Sequence, residues 1–96
     1  MEELPEHTLL VEHYWPGVTA GEFQVAAERV RTSAEAMATA DARIRFLHAT
    51  FVPEDEAAFC VLSAESPELV EEAYRRAGVE FERIVDALEL TREGES

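Results

Sequence analysis

The sequence contains one cysteine and few basic residues, and each shortage excludes a class of protein. Cys60 has no second cysteine to pair with, so the chain requires no oxidising compartment and a reduced cytoplasm is expected. Eight basic side chains stand against 21 acidic ones, which gives a net charge of −13. Such a charge repels phosphate backbones and anionic lipids, so we expect neither a nucleic-acid partner nor a membrane partner.

Long apolar runs are also missing. No segment approaches the roughly 20 apolar residues that cross a bilayer, and the start MEELPEHTLL lacks the basic region of a secretory signal. Apolar residues nevertheless make up 47% of the 96 positions, enough for one modest core. We predict a flexible N-terminus at 1–7, a single domain at 8–90 and a disordered tail at 91–96.

The central feature is a predicted hairpin over 43–63, in which two apolar-rich runs flank the turn VPEDE. A strand over 8–14 and a helix precede it. A second helix and a strand within 81–90 follow it. The order β-α-β-β-α-β predicts an α+β, ferredoxin-like fold.

Both helices have readable ends. Thr19 followed by Glu22 is a capping box, and apolar residues recur from Phe23 to Met37 at spacings of three and four, which predicts a helix to about Ala38. Ser66 and Pro67 are typical of a helix start, with a capping hydroxyl, and Gly78 of a helix end.

Strict alternation in the first hairpin strand assigns its side chains to two faces. One face is predicted to carry Ile44, Phe46, His48, Thr50 and Val52, and the other Arg45, Leu47, Ala49 and Phe51. Both sets are largely apolar, and a strand that is apolar on both sides must be covered on both sides. Because so short a chain cannot cover the second face, we predict a homodimer.

Three segments carry a resemblance to a known family: VEHYWPGVT at 11–19, IRFLHATFVPEDEAAFCVLSA at 44–64 and RRAGVEFERIVDALEL at 75–90. In order and spacing they resemble small bacterial ferredoxin-like proteins of largely unassigned function, one branch of which binds nickel. The resemblance implies a four-stranded antiparallel sheet with two helices on one face, paired through the other face as a dimeric α+β barrel. Ala73 stands where the nickel-binding branch has a histidine.

The three histidines, His7, His13 and His48, could bind a metal together with Glu12 or an acid of the hairpin turn. The preferred ligands are His13 and Glu12, followed by His48. Imidazole and carboxylate suit a borderline divalent ion such as nickel or zinc. The histidines lack a metal-binding spacing such as HExxH, so ordinary surface histidines are the competing interpretation. A metal site shared across a dimer is a further alternative.

Five residues are predicted to bind a small molecule: Arg45, Glu12, Tyr14, Phe51 and Tyr74. Arg45 is predicted to lie among apolar neighbours, where a guanidinium needs a carboxylate. Either Glu12 of a neighbouring strand supplies it, or Arg45 orients a bound carboxylate or enolate. The aromatic residues are predicted to line the same pocket, or to belong to the core.

Three other features have simple interpretations. Cys60 is predicted to be buried as a small hydrophobe. The acidic turn at 54–56 lacks the spacing of a calcium loop and is interpreted as solvated. Arg83 and Asp86 are predicted to form surface or interface ion pairs.

Three functions remain open at this stage. The first is a non-catalytic homodimer that binds a divalent transition metal, by resemblance nickel, or a small ligand. The second is a cofactor-independent oxygenase, isomerase or cyclase that acts on an aromatic or polyketide-like substrate. No acid–base pair stands out in the sequence, which favours the binding protein. The third is an interaction dimer without a ligand.

Overall fold

The computed structural model describes residues 6–88, in which four strands and two helices follow the predicted order. The predicted tail at 91–96, most of the predicted N-terminal segment and Leu90 lie outside the described residues. The elements are β1 (His7–Tyr14), α1 (Ala20–Thr39), β2 (Ile44–Val52), β3 (Ala57–Ala64), α2 (Pro67–Ala77) and β4 (Arg83–Asp86), with a short 3₁₀ turn at Pro53–Asp55.

The strands form one sheet in the order β2-β3-β1-β4, with every neighbouring pair antiparallel. Both helices pack on one face of this sheet and against each other. The predicted α+β ferredoxin-like fold is therefore confirmed. Strand β1 begins at His7, which pairs with Ala64, one residue earlier than predicted.

The helix starts differ in how they are capped. The Thr19 hydroxyl accepts a bond from the Glu22 backbone at 3.1 Å, and the Glu22 carboxylate accepts one from the Thr19 backbone at 2.9 Å, so the predicted capping box is confirmed. Ser66 is the N-cap of α2, but its hydroxyl makes no capping bond, and Pro67 sets the first turn instead. Gly78 ends α2 with φ +72°, a left-handed conformation that favours glycine.

The core lies between the helices and the inward side of the two central strands. Helix α1 buries the predicted stripe, and α2 adds Val70, Ala73 and Tyr74. From the strands, Leu9, Val11, Cys60 and Leu62 are fully or almost fully buried. Among residues 6–88, neither helix combines the length and the apolar character needed to cross a membrane.

A β-bulge at Leu47 corrects the predicted faces of β2. Phe46 pairs with Leu62, but His48 pairs with Val61, so Leu47 is an extra residue in the strand. Beyond it the alternation is inverted. Ala49 and Phe51 point toward the helices, and His48 and Thr50 point away, opposite to the strict alternation predicted from the sequence.

The sheet surface opposite the helices, here called the open face, is covered by no element of the described chain. Its apolar centre comes from the two central strands and from β4. Polar side chains flank this centre on both sides. The open face carries Leu10, Glu12, Phe59, Val61, Val85, Arg45, His48, Thr50 and Arg83.

Candidate functional site

The described part of the core contains one buried polar cluster, and it joins three elements. His13 of β1 is only 4% exposed. Its Nδ1 lies 2.8 Å from the Ala58 carbonyl oxygen, and its Nε2 lies 2.9 Å from the Tyr74 hydroxyl. Cys60 of β3 is a neighbour of that hydroxyl. The cluster therefore links β1, β3 and α2.

The Ala58 carbonyl fixes the tautomer of His13. A carbonyl can only accept, so Nδ1 carries the proton and donates it. In a neutral ring Nε2 is then an acceptor, and the Tyr74 hydroxyl donates to it. Burial lowers the pKa of His13, and the bond to the Ala58 carbonyl opposes this only in part. The imidazole is therefore neutral at pH 7, with both nitrogens engaged.

Burial acts in the opposite direction on the other two members. It raises the pKa of the Cys60 thiol to about 11, although the Tyr74 hydroxyl partly counteracts the shift. It also raises the pKa of Tyr74, and the neighbouring thiol adds to the effect. Both groups are therefore neutral at physiological pH. The buried thiol is not a reactive thiolate. This agrees with the prediction that Cys60 is buried and behaves as a small apolar residue.

The structure places the three predicted metal ligands apart from one another. His13 points into the core, whereas its neighbour Glu12 points to the open face. His48 shares the open face with Glu12, but all of β3 lies between their strands. Within residues 6–88, no three His, Cys, Asp or Glu side chains come together as a metal site.

The five predicted ligand-binding residues also fail to converge on one pocket. Tyr74 is in the core and Phe51 stacks on Phe23 of α1, with ring centroids 6.0 Å apart. Glu12 and Arg45 lie on the open face. Tyr14 is 59% exposed at the end of β1 and borders the cavity described below.

The predicted pairing of Arg45 with Glu12 is wrong. Strand β3 separates their strands, and Glu12 instead binds Arg83 of β4 through two hydrogen bonds of 3.0 and 3.2 Å. Arg45 is exposed, because the bulge moves Ala49 and Phe51 away from its face. The predicted ion pair of Arg83 is present, with Glu12 as its partner. Asp86 lies 3.3 Å from the His7 ring, a contact that becomes an ion pair only with a protonated imidazole.

A cavity of about 420 Å³ lies at the end of β1, between α1 and the segment from Gly78 to Glu82. His13 and Ala26 form its buried floor, and Trp15 and Phe81 are the largest apolar side chains around it. Arg29, Glu80, Phe81 and Glu82 also line this cavity and were not predicted as site residues. A sequence pattern could have indicated Glu80, Phe81 and Glu82, because acidic and aromatic residues alternate there shortly after Gly78, which ends α2.

Comparison with known proteins agrees with this fold. A family model described as "Nickel responsive protein SCO4226-like" matches residues 9–86. The chain is also similar to the crystal structure of SCO4226 from Streptomyces coelicolor A3(2), with a TM-score of 0.72 and 19% sequence identity. That match covers 88% of this chain and 99% of the other. No curated protein matches the chain by sequence.

Proposed function

Because the chain belongs to the SCO4226-like family of nickel-responsive proteins, we propose that it is a non-catalytic protein that binds a divalent transition metal, with nickel as the preferred ion. The observation that carries the proposal is the family match over residues 9–86. This range includes all four strands, apart from the first two residues of β1. The single buried cysteine suits a reducing compartment, and we place the protein in the cytoplasm.

One copy of the described chain does not by itself provide a fitting set of ligands. Glu12 and His48 point to the same face but are separated by β3, and His13 lies on the other side of the sheet. To bind a metal, His13 would have to give up its bond to Ala58 or to Tyr74. A site built from Glu12 and His48 therefore needs ligands from a second copy.

The open face supports a homodimer as the source of those ligands. Leu10, Phe59, Val61 and Val85 form an apolar patch on this face, and Glu12 and His48 flank the patch. An apolar centre with a polar rim is the usual anatomy of a protein interface. In a twofold dimer each rim residue is present twice, and imidazole with carboxylate suits nickel. We therefore propose that Glu12 and His48 of both copies contribute to the metal site, with Glu12 exchanging its bonds to Arg83 for the metal.

Calorimetric titration of metal-stripped protein with nickel, and separately with zinc, tests this proposal. We expect saturable nickel binding with a whole number of ions per dimer. His48→Ala should weaken it, and Glu12→Gln should weaken it less. His7→Ala is the matched control, because His7 is an exposed histidine that is bonded to Asp86 and points away from the open face.

Two results would change the account in different ways. If His13→Gln abolishes nickel binding while the fold is retained by circular dichroism, then His13 is a ligand and must leave Tyr74. The triple variant combines His48→Ala, His13→Gln and Glu12→Gln. If nickel binds the wild type no more tightly than it binds this variant, the proposed metal function is wrong.

A further inference from the structure

The cavity at the end of β1 has the dimensions of a small-molecule site. Its volume of about 420 Å³ falls within the roughly 300–1,000 Å³ of known ligand pockets. The floor is closed by the ring of His13 and the methyl group of Ala26, which are both buried. Trp15 and Phe81 provide apolar surface around it. The cavity is on the helix side of the sheet, and the proposed metal site is on the open face.

Three charged side chains surround this cavity without partners in the described chain. Arg29, Glu80 and Glu82 make no side-chain hydrogen bond or ion pair within residues 6–88. For Arg29 this is unusual, because five of the seven described arginines are in ion pairs. Charges that are unpaired around an apolar cavity are available to a ligand.

The sign of the charge favours a cation. Two carboxylates against one guanidinium leave the mouth of the cavity negative, and the net charge of −13 raises the local concentration of cations. Arg29 also lines a shallower groove beside Glu28 and Arg76, so its side chain has a second place to lie. An indole and a phenyl ring attract an ammonium group through their faces and also accept an apolar body.

We propose that this cavity binds a small organic cation: an amine or quaternary ammonium group attached to an apolar or aromatic body. The ammonium group contacts Glu80 and Glu82, and the apolar body packs against Trp15 and Phe81 above the His13 floor. This site is independent of the proposed nickel site, so either can be wrong without the other.

Trp15 is the only tryptophan of the chain, and its fluorescence therefore reports directly on the cavity. The probes are benzylamine, benzyl alcohol and benzoate, which have similar size and differ in charge, each titrated to millimolar concentration at constant ionic strength. We expect saturable changes in Trp15 fluorescence with affinity in the order benzylamine, benzyl alcohol, benzoate. The double variant Glu80→Gln, Glu82→Gln should weaken benzylamine roughly threefold to tenfold and leave benzyl alcohol unchanged.

Two control variants separate the cavity from the net charge. Arg29→Gln should strengthen benzylamine roughly twofold to fivefold. The same change at exposed Arg45, which lies on the open face, should have a much smaller effect. Glu68→Gln changes the net charge without touching the cavity and should leave benzylamine binding almost unchanged.

Three results would overturn the proposal. The first is tightest binding of benzoate that is lost in Arg29→Gln, which would make the cavity an anion site. The second is that Glu68→Gln weakens benzylamine binding as much as Glu80→Gln or Glu82→Gln does. The preference for a cation would then come from the net charge of the protein and not from the cavity. The third is the absence of a saturable Trp15 response to any probe.

Discussion

The hydroxyl of Tyr74 lies 2.9 Å from Nε2 of His13, and this bond joins α2 to β1 across 61 positions of the sequence. Few other polar contacts tie α2 to the sheet, because its remaining inward residues are apolar. A buried bond of this kind specifies one position of the helix, since any displacement leaves a buried nitrogen unsatisfied. Burial keeps His13 neutral by lowering its pKa, and the Tyr74 hydroxyl satisfies its Nε2.

Removing the Tyr74 hydroxyl should destabilise the protein without changing its fold. Tyr74→Phe leaves His13 Nε2 without its partner, and an unsatisfied buried polar group costs about 1–3 kcal/mol. Urea unfolding followed by circular dichroism measures the loss. Tyr14→Phe is the matched control, because Tyr14 is 59% exposed and its change should be close to neutral. Equal effects of the two variants would contradict the structural role of the bond.

His13 should make the protein sensitive to acid. Its pKa is lowered in the folded state, so below its ordinary value of about 6.5 the unfolded chain binds a proton that the native chain does not. Stability is therefore fully present above this pH and falls as the pH drops, by up to about 1.4 kcal/mol per pH unit from this residue. Unfolding free energies between pH 7.5 and 5 should show a smaller slope in His13→Gln. An unchanged slope would show that His13 is not buried as a neutral ring.

The Cys60 thiol should resist alkylation in the native protein. Its pKa of about 11, against an ordinary 9.0, lowers the thiolate fraction at pH 8 about 100-fold, and burial adds a steric barrier. The reaction with iodoacetamide should be fast in guanidinium chloride and slower by at least this factor under native conditions. Because the unfolded thiol ionises first, stability should also fall above about pH 9. Rapid native labelling would place the thiol at the surface.

Local sequence signals predicted most of the fold, whereas the polar contacts of the site depended on residues far apart in the chain. The capping box at Thr19 and the apolar stripe of α1 were correct to within about one residue, because both are local patterns. His13 was interpreted as a candidate ligand or a surface histidine, whereas it is buried on the same side of β1 as Val11. Nothing local identified Tyr74 as its partner. Nor did the sequence order of the strands reveal that β4, and not β2, lies beside β1.

The bulge at Leu47 had no sequence signal and caused the largest errors. The run IRFLHATFV contains no glycine and reads as an unbroken strand. One extra residue inverts every side chain beyond it. It thereby moved His48 to the open face and Phe51 under α1, and it left Arg45 without the apolar neighbours that had made it a candidate.

Beyond the bulge, substitutions on the two faces of β2 should therefore reduce the free energy of unfolding by unequal amounts. Phe51→Ala removes the stacking on Phe23 and a partly buried ring, so we expect a loss of about 2 kcal/mol, less than the roughly 3–5 kcal/mol of a fully buried phenylalanine. Thr50→Ala, on the open face, should cost well below half of that. Chemical denaturation of both variants gives the comparison. A larger cost for Thr50→Ala would contradict the bulged register.

Native mass spectrometry of the metal-stripped protein, at micromolar concentration with excess nickel, tests the proposed nickel-binding homodimer. One spectrum reports both the oligomeric state and the number of bound ions. We expect a species at twice the 10.8 kDa of one chain, with a whole number of nickel ions that decreases in His48→Ala. A monomer that retains no nickel would contradict both the dimer and the metal function.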